Sequence, residues 1–216
     1  KIALKFEEMR AVPGVILGWL IHIIPLAVLT VVAGAVSEFG FGIFHSLIKY
    51  VAVVLIGFAL QVFFVYGSWI FLIARMAPSG FFGAVKEPLW YAFGVNSSLA
   101  TLPLTLKALK EMGVSARSSS LGAGVATNLN NDGIVLYEAM AVFFIAQVSG
   151  IPLSEGQLIM GALSCIVASM GITGIPEAGF ISLSVVVSTL GLPAEMLPLL
   201  LAVDWMLARG RSVVNV

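Results

Sequence analysis

The stretch from Asn128 to Glu138, NLNNDGIVLYE, concentrates polar groups between two long apolar runs. Asn130 and Asp132 carry side-chain oxygens, and Gly133 allows a helix entering from Gly122 to break and free backbone carbonyls and amides. Such oxygens are the ligands that a hard monovalent cation prefers, and broken helices hold ions in some membrane proteins. We therefore predict a cation site here. The alternative is a polar kink that only packs against a neighbouring helix.

The composition indicates the environment of this stretch. Of the 216 residues, 60% are hydrophobic and 10% are charged, and the mean hydropathy is +1.08. A bilayer span takes roughly 20 apolar residues, and the chain has several such runs. We therefore expect an integral, multi-pass membrane protein. The formal net charge of zero, with no basic run, gives no support for binding nucleic acid.

Two spans precede the polar stretch. Val12–Val36 is the first predicted span and Ser46–Met76 the second, with a short turn at Ser37–Phe44 between them. If these spans cross the bilayer in opposite directions, most of the eleven Lys and Arg residues fall on one side. The positive-inside rule makes that side cytoplasmic.

The segment from Phe81 to Val114 predicts a helical hairpin. Two apolar arms, Phe82–Phe93 and Ala100–Met112, flank the polar residues Gly94–Ser98. Each arm is too short to cross a ~30 Å hydrocarbon layer, which indicates a hairpin that re-enters on the side it came from. A single span with a serine kink is the alternative.

A second hairpin is predicted after the polar stretch. The arms Leu158–Ser169 and Phe180–Leu190 flank the loop Met170–Gly179, whose glycines and proline let its backbone approach a ligand closely. The last helix, Glu195–Val216, then carries charged and amide side chains. Two polar tips on either side of one broken helix indicate a repeated architecture whose tips meet near the middle of the membrane.

Four motifs in this order resemble the dicarboxylate/amino acid:cation symporter family, which includes the glutamate transporters. The sequence AFGVNSSLATLP at 92–103 is similar to its serine-rich first tip, and NNDGI at 130–134 to its Asn-Met-Asp-Gly-Thr signature. GIPEAG at 174–179 is similar to its second tip, and VDW followed by RSVVN at 203–215 to its last helix. The resemblance covers only the C-terminal part of the family. The family's first four spans have no counterpart in the chain, so we expect the chain to be a piece of a longer protein.

The resemblance implies an all-α membrane protein with two re-entrant helical hairpins, broken helices and an elevator-type transport domain. Residues 1–45 would be a scaffold-type transmembrane segment and 46–216 the transport domain. Within it we expect hairpin 1 at about 81–114, the broken helix at 117–148, hairpin 2 at about 157–192 and the last helix at 195–216. The implied protein is a homotrimer in the plasma or inner membrane.

The resemblance also implies the site residues. Those expected to bind a small anionic substrate are Ser97, Ser98, Ile175, Pro176, Gly179, Arg211, Ser212 and Asn215. Sodium, the coupling ion, would be held by groups of Ala126, Asn128, Asn130, Asp132, Ser169, Met170, Ile172 and Asn215. Arg211 matches an arginine that pairs with a substrate's side-chain carboxylate, because guanidinium clamps a carboxylate through two parallel hydrogen bonds. Glu138 matches a position that carries a proton in glutamate transporters.

Several positions depart from the family pattern. Ala208 stands where amino acid carriers have the aspartate that binds the substrate's ammonium group, which favours a dicarboxylate, whereas Glu138 favours an acidic amino acid. Asn131 replaces the signature methionine and Ile134 its threonine. Polar residues of the first tip are replaced by Val95 and Leu99.

The function predicted by the resemblance is sodium-coupled symport of a C4-dicarboxylate, aspartate or glutamate, with the proton as a further candidate coupling ion. Because of the departures, a non-transporting relative that acts as a membrane interaction protein is the alternative. A third hypothesis makes Asp132 and Asp204 the acid/base pair of an intramembrane enzyme. We reject it, because neither aspartate lies beside a nucleophile motif. Asp204 is instead expected to position the last helix or Arg211.

Overall fold

The computed structural model of the chain describes residues 40–172 and 178–216, together with 23, 26, 29, 30, 32–34, 36 and 37. They belong to two compact units, Lys1–Ile43 and Phe44–Val216. In the first unit the described positions from 23 to 37 are helical. Gly40 has φ +68° and donates its N–H to the Val36 carbonyl at 2.9 Å, which ends that helix in the left-handed region. Most of the predicted first span, and of the scaffold-type segment 1–45, lies outside the described residues.

From residue 42 onward the described residues form eight helices and no strand. These helices are α1 Gly42–Leu72, α2 Pro78–Val95, α3 Ser98–Glu111, α4 Ala116–Leu129, α5 Asp132–Val148, α6 Glu155–Met170, α7 Ala178–Thr189 and α8 Leu197–Asn215. Residues Gln61–Tyr66 of α1 form a π-helical segment, and a short 3₁₀ turn, Ala194–Met196, precedes α8. The second span therefore begins and ends earlier than the predicted Ser46–Met76.

Local sequence explains where several helices begin and end. Pro78 opens α2, where its missing N–H costs no helical bond. Asn96 follows α2 in the left-handed region at φ 55°, and Ser97 caps α3 by accepting the N–H of Ala100 at 3.2 Å. The turn between α2 and α3 is therefore only two residues long. This keeps the two arms antiparallel and in contact.

The interior of the second unit is built around α5 and α8. α5 packs against α6, α7 and α8, and α8 also packs against α2 and α3. The side chains of Tyr137, Leu200 and Leu207 are fully buried between them. α1 approaches α8 so closely that a side chain at Gly210 would begin 2.8 Å from the Phe58 ring. A residue with a side chain at position 210 would therefore require the Phe58 ring to move.

The outer surface of α1 is strongly apolar. Phe63, Phe64, Trp69 and Phe71 are exposed on it. Two stretches of the described residues, Gly42–Leu72 and Ala116–Val148, are long and apolar enough to cross a membrane, although the second is interrupted at its centre. An exposed apolar surface of this extent suits contact with lipid chains.

Candidate ion and substrate site

The predicted cation site lies where the chain leaves α4 and enters α5. The helical pattern breaks at Asn130 and Asn131, and Asp132 and Gly133 already belong to the first turn of α5. The break therefore comes before the aspartate rather than at Gly133. α4 also begins at Ala116 rather than at Gly122.

Gly133 does not break the helix but allows α5 to pack closely against α8. Its N–H donates to Asn215 Oδ1 at 2.7 Å, and a side chain here would begin 2.6 Å from the Arg211 carbonyl oxygen. Only glycine lets the backbones of α5 and α8 come this close. Because Asn215 Oδ1 accepts this bond, the Nδ2 group is the part of the side chain that can donate to a substrate carboxylate.

Asp132 is held by two neutral donors from α1. Its Oδ2 accepts a hydrogen bond from Gln61 Nε2 at 2.8 Å and lies 2.9 Å from the Tyr66 hydroxyl. That hydroxyl also lies 3.2 Å from the Val214 carbonyl oxygen and interacts with the Asn130 side chain. Asp132 is half-buried. No described Lys, Arg or His forms an ion pair with it.

The π-helical segment explains how two residues of α1 reach the same carboxylate. Gln61 and Tyr66 are its first and last residues. In an α-helix, residues five apart are separated by about 140° around the axis. In a π-helix the hydrogen bonds join residues five apart, so both side chains come to one face. Neither residue was predicted as part of the site, although polar side chains inside a membrane helix are a functional signal.

Asn131 connects the helix break to the end of α6. Its Nδ2 donates to the Ser169 carbonyl at 2.8 Å and to the Asn128 carbonyl at 3.2 Å. Its side chain is 3% exposed. Both carbonyls were predicted to bind sodium. The carbonyl of Ala126, another predicted ligand, accepts the N–H of Asn130 at 2.7 Å.

The other predicted ion ligands lie near this junction or on α8. Met170 is the last residue of α6, and Ile172 follows it with its N–H directed to the Ser169 carbonyl at 3.3 Å. Asn130 lies beside Tyr66, and Asn215 contacts Gly133. The structure thus places these oxygen-bearing groups around the break between α4 and α5.

Arg211 and Asp204 form a buried ion pair on α8. Nη1 lies 2.6 Å from Oδ1 and Nη2 lies 3.2 Å from Oδ2, so the pairing is bidentate. Arg211 is 4% exposed and Asp204 is fully buried. The guanidinium also lies 4.0 Å over the centre of the Tyr137 ring. This pairing agrees with the expectation that Asp204 positions Arg211.

The start of α7 approaches the same arginine. A side chain at Gly179 would begin 3.1 Å from Cζ of Arg211, so the α7 backbone lies against the guanidinium. Two of the five N–H groups of arginine bind Asp204, which leaves others for a second carboxylate. The predicted substrate residues Ile175 and Pro176 lie outside the described residues.

The first hairpin tip reaches α8 through Ser212. The Ser212 hydroxyl donates to Asn96 Oδ1 at 2.7 Å. Ser97 and Ser98, which follow Asn96, are buried, with 7% exposure each. Of the predicted substrate residues, therefore, the structure connects the first tip with Ser212 and the start of α7 with Arg211.

Glu138 lies inside the bundle between α5 and α7. It is fully buried, and the Ser182 hydroxyl donates to its Oε1. Among the described residues its buried Oε2 accepts no N–H or O–H hydrogen bond, and the Cys165 thiol interacts with the carboxylate. The Ser182 oxygen also lies 3.0 Å from the Gly179 carbonyl oxygen, so the glutamate and the start of α7 share a contact. Ser182 was not predicted, because a lone serine in an apolar helix gives no pattern.

Comparison with known proteins identifies one family model and several relatives that are similar to the chain. The model of the sodium:dicarboxylate symporter family matches residues 2–216. Mouse excitatory amino acid transporter 3 is 38% identical over 194 residues, and bovine excitatory amino acid transporter 1 is 38% identical over 195 residues. These alignments cover 89% of the chain but only 37% and 36% of the relatives. The chain therefore spans little more than a third of the length of these curated relatives.

Proposed function

Because the chain belongs to the sodium:dicarboxylate symporter family, we propose that it is the part of a secondary active symporter that binds an acidic substrate together with sodium. The family comprises integral membrane transporters rather than enzymes, and its coupling ion is sodium. The proposed substrate is a C4-dicarboxylate, aspartate or glutamate.

The observation that carries this proposal is the position of Arg211. A cation buried among apolar helices is costly unless it is paired, and paired charges of this kind mark substrate paths in membrane proteins. Arg211 is paired with Asp204 on one side and faces the start of α7 on another. A substrate carboxylate entering beside Gly179 would take up the remaining N–H groups. Asn215 Nδ2 is the proposed second donor, for the main carboxylate.

A dicarboxylate fits this environment better than an amino acid. Ala208 is 1% exposed and lies one turn before Arg211 on α8. It offers no acceptor to an ammonium group, whereas burying an unpaired ammonium is expensive. Asp204 is already bound to Arg211. A substrate that carries two carboxylates and no amine avoids this cost.

Sodium is proposed to bind at Asp132. One oxygen of this carboxylate is contacted by two neutral donors, which leave its negative charge uncompensated. Glu138 is proposed to carry a coupled proton, because it is buried and shares Ser182 with the start of α7.

Transport itself is proposed to follow an elevator movement of a domain at about 46–216 against the scaffold. The two hairpins would be re-entrant, and the assembly a homotrimer in a plasma or inner membrane.

Uptake by the full-length protein, reconstituted into proteoliposomes, tests the proposal. We expect sodium-driven uptake of labelled succinate, with little uptake of aspartate, and a loss of more than tenfold in Arg211→Lys, because lysine cannot form the bidentate pair. In Ala208→Asp we expect the preference to move towards aspartate. Uptake that Arg211→Lys leaves intact would contradict the assigned substrate site. Absence of any sodium-driven uptake would favour a non-transporting interaction protein.

A further inference from the structure

Asn131 is placed where an ion would be expected. Its side-chain nitrogen lies 2.8 Å from the Ser169 carbonyl oxygen and 3.2 Å from the Asn128 carbonyl oxygen. The two carbonyls come from different elements, the end of α6 and the end of α4. Both were assigned to sodium by the family resemblance. The amide therefore bridges two oxygens that an ion would bridge.

The chemistry of the amide fixes its orientation. Carbonyl oxygens only accept hydrogen bonds, so the NH₂ group of Asn131, and not its oxygen, must face them. That group carries two hydrogens and meets two acceptors, so both hydrogens are used. It presents partial positive charge to the carbonyls, as a cation does.

The nitrogen and an ion exclude each other. Hard cations of this size lie about 2.3–2.6 Å from oxygen ligands. An ion at that distance from both carbonyls would overlap the space that Nδ2 fills. Turning Asn131 away would leave two buried N–H groups without acceptors, which costs about 1–3 kcal/mol for each unsatisfied group.

We propose that the side-chain amide of Asn131 takes the place of one sodium ion by bridging the Asn128 and Ser169 carbonyls. The inference rests on the proposed function, because it concerns the number of ions coupled to the substrate. The neutral amide holds the end of α6 to the helix break without sodium. Ion binding is left to Asp132, which lies next in the chain and keeps its charge.

Two substitutions test this directly. Asn131→Met restores the signature residue and removes the donor, so both carbonyls become available to an ion. Asn131→Asp replaces the nitrogen by a second carboxylate oxygen, so several oxygens converge and require a cation. Gln147→Glu is the matched control, because it makes the same amide-to-carboxylate change on an exposed part of α5.

The first measurement is succinate affinity of the detergent-purified protein at several sodium concentrations, with choline keeping the ionic strength constant. A plot of log Kd against log sodium concentration should be steeper by about one in Asn131→Met than in the wild type, since one more ion binds with the substrate. Gln147→Glu should match the wild type. Equal slopes in Asn131→Met and the wild type, or a shallower slope in Asn131→Met, would overturn the proposal.

The second measurement is thermal unfolding without substrate. Asn131→Asp should be less stable than the wild type in choline and should recover in sodium, whereas the wild type and Gln147→Glu should show a smaller difference between the two salts. This comparison remains valid even if the wild type binds no succinate, a result that would contradict only the proposed function. Equal responses to sodium in Asn131→Asp and the wild type would overturn the inference.

A third measurement needs no substitution and applies if the variants do not fold. In the wild type labelled with ¹⁵N-asparagine, the Asn131 side-chain NH₂ should remain protected from hydrogen exchange in both sodium and choline. Loss of that protection on addition of sodium would mean that the ion displaces the amide, which contradicts the proposal.

Discussion

Asp132 and Asp204 are both carboxylates among apolar helices, yet Asp204 has a charged partner and Asp132 has neutral ones. Asp204 is fully buried and bound through both oxygens to the guanidinium of Arg211. Asp132 is half-buried, and the described partners of its Oδ2 are the neutral donors Gln61 and Tyr66. Asp204 therefore has its balancing charge within the protein. No described Lys, Arg or His supplies one to Asp132, and an external cation can.

This difference distinguishes a carboxylate that stabilises the fold, Asp204, from one that we propose binds an ion, Asp132. Removing one partner of a buried ion pair leaves the other charge uncompensated, whereas a carboxylate held by neutral donors can be replaced by an amide of the same shape. The same substitution, aspartate to asparagine, should therefore have different consequences at the two positions.

The largest effect is expected for Asp204→Asn. It leaves the Arg211 guanidinium buried without a counter-charge, which typically destabilises a protein by about 3–5 kcal/mol. Unfolding of the purified protein in increasing concentrations of denaturing detergent measures the loss. In Asp204→Leu combined with Arg211→Met, which removes both charges, much of the stability should return. If the double variant is as unstable as Asp204→Asn, the ion pair is not the cause.

An intermediate effect is expected for Tyr66→Phe. It removes one donor to a charged acceptor, which costs about 1.5–3 kcal/mol. The loss should be larger in choline than in sodium, because a bound cation would compensate the carboxylate. Tyr91→Phe is the matched control, since Tyr91 is 44% exposed. Thermal unfolding in both salts measures the difference, and an equal loss in the two salts would mean that Asp132 does not hold sodium.

The smallest effect on stability is expected for Asp132→Asn. The asparagine oxygen can accept the same two hydrogen bonds, so we expect a change within about 1 kcal/mol, as for most substitutions that leave contacts intact. The stabilisation of the protein by sodium relative to choline should nevertheless disappear. A variant that still responds to sodium as the wild type does would remove Asp132 from the ion site.

Some of these features could be predicted from the sequence, and others could not. The polar residues Asn130 and Asp132 stand out because they interrupt apolar runs, and the carboxylate at 204 lies seven residues before Arg211 on one helix face. Spacing of this local kind can be recognised from the sequence alone. The approach of Gln61 to Asp132 is not, because 71 residues separate them and the π-helical segment has no sequence signature.

The helix break shows where interpretation of single residues fails. Gly133 was expected to break the helix, because glycine is a weak helix former. The structure instead uses its missing side chain for contact with α8, and the break falls on Asn130 and Asn131. Asn131 could be identified as a departure from the signature, but its contact with Ser169 depends on how α6 packs. Packing partners of this kind are set by the whole bundle.

The contact at Gly133 also determines which parts of the bundle can move independently. The backbones of α5 and α8 touch there, and the Phe58 ring contacts α8 closely at Gly210. Sliding α8 along α5 by one residue would drive side chains into backbone atoms. The two helices therefore translate as one mechanical element. Any displacement that carries Arg211 across the bilayer carries Asp132 with it, so the proposed substrate anion and sodium ion would travel the same distance and much of the electrical work of moving either charge would cancel.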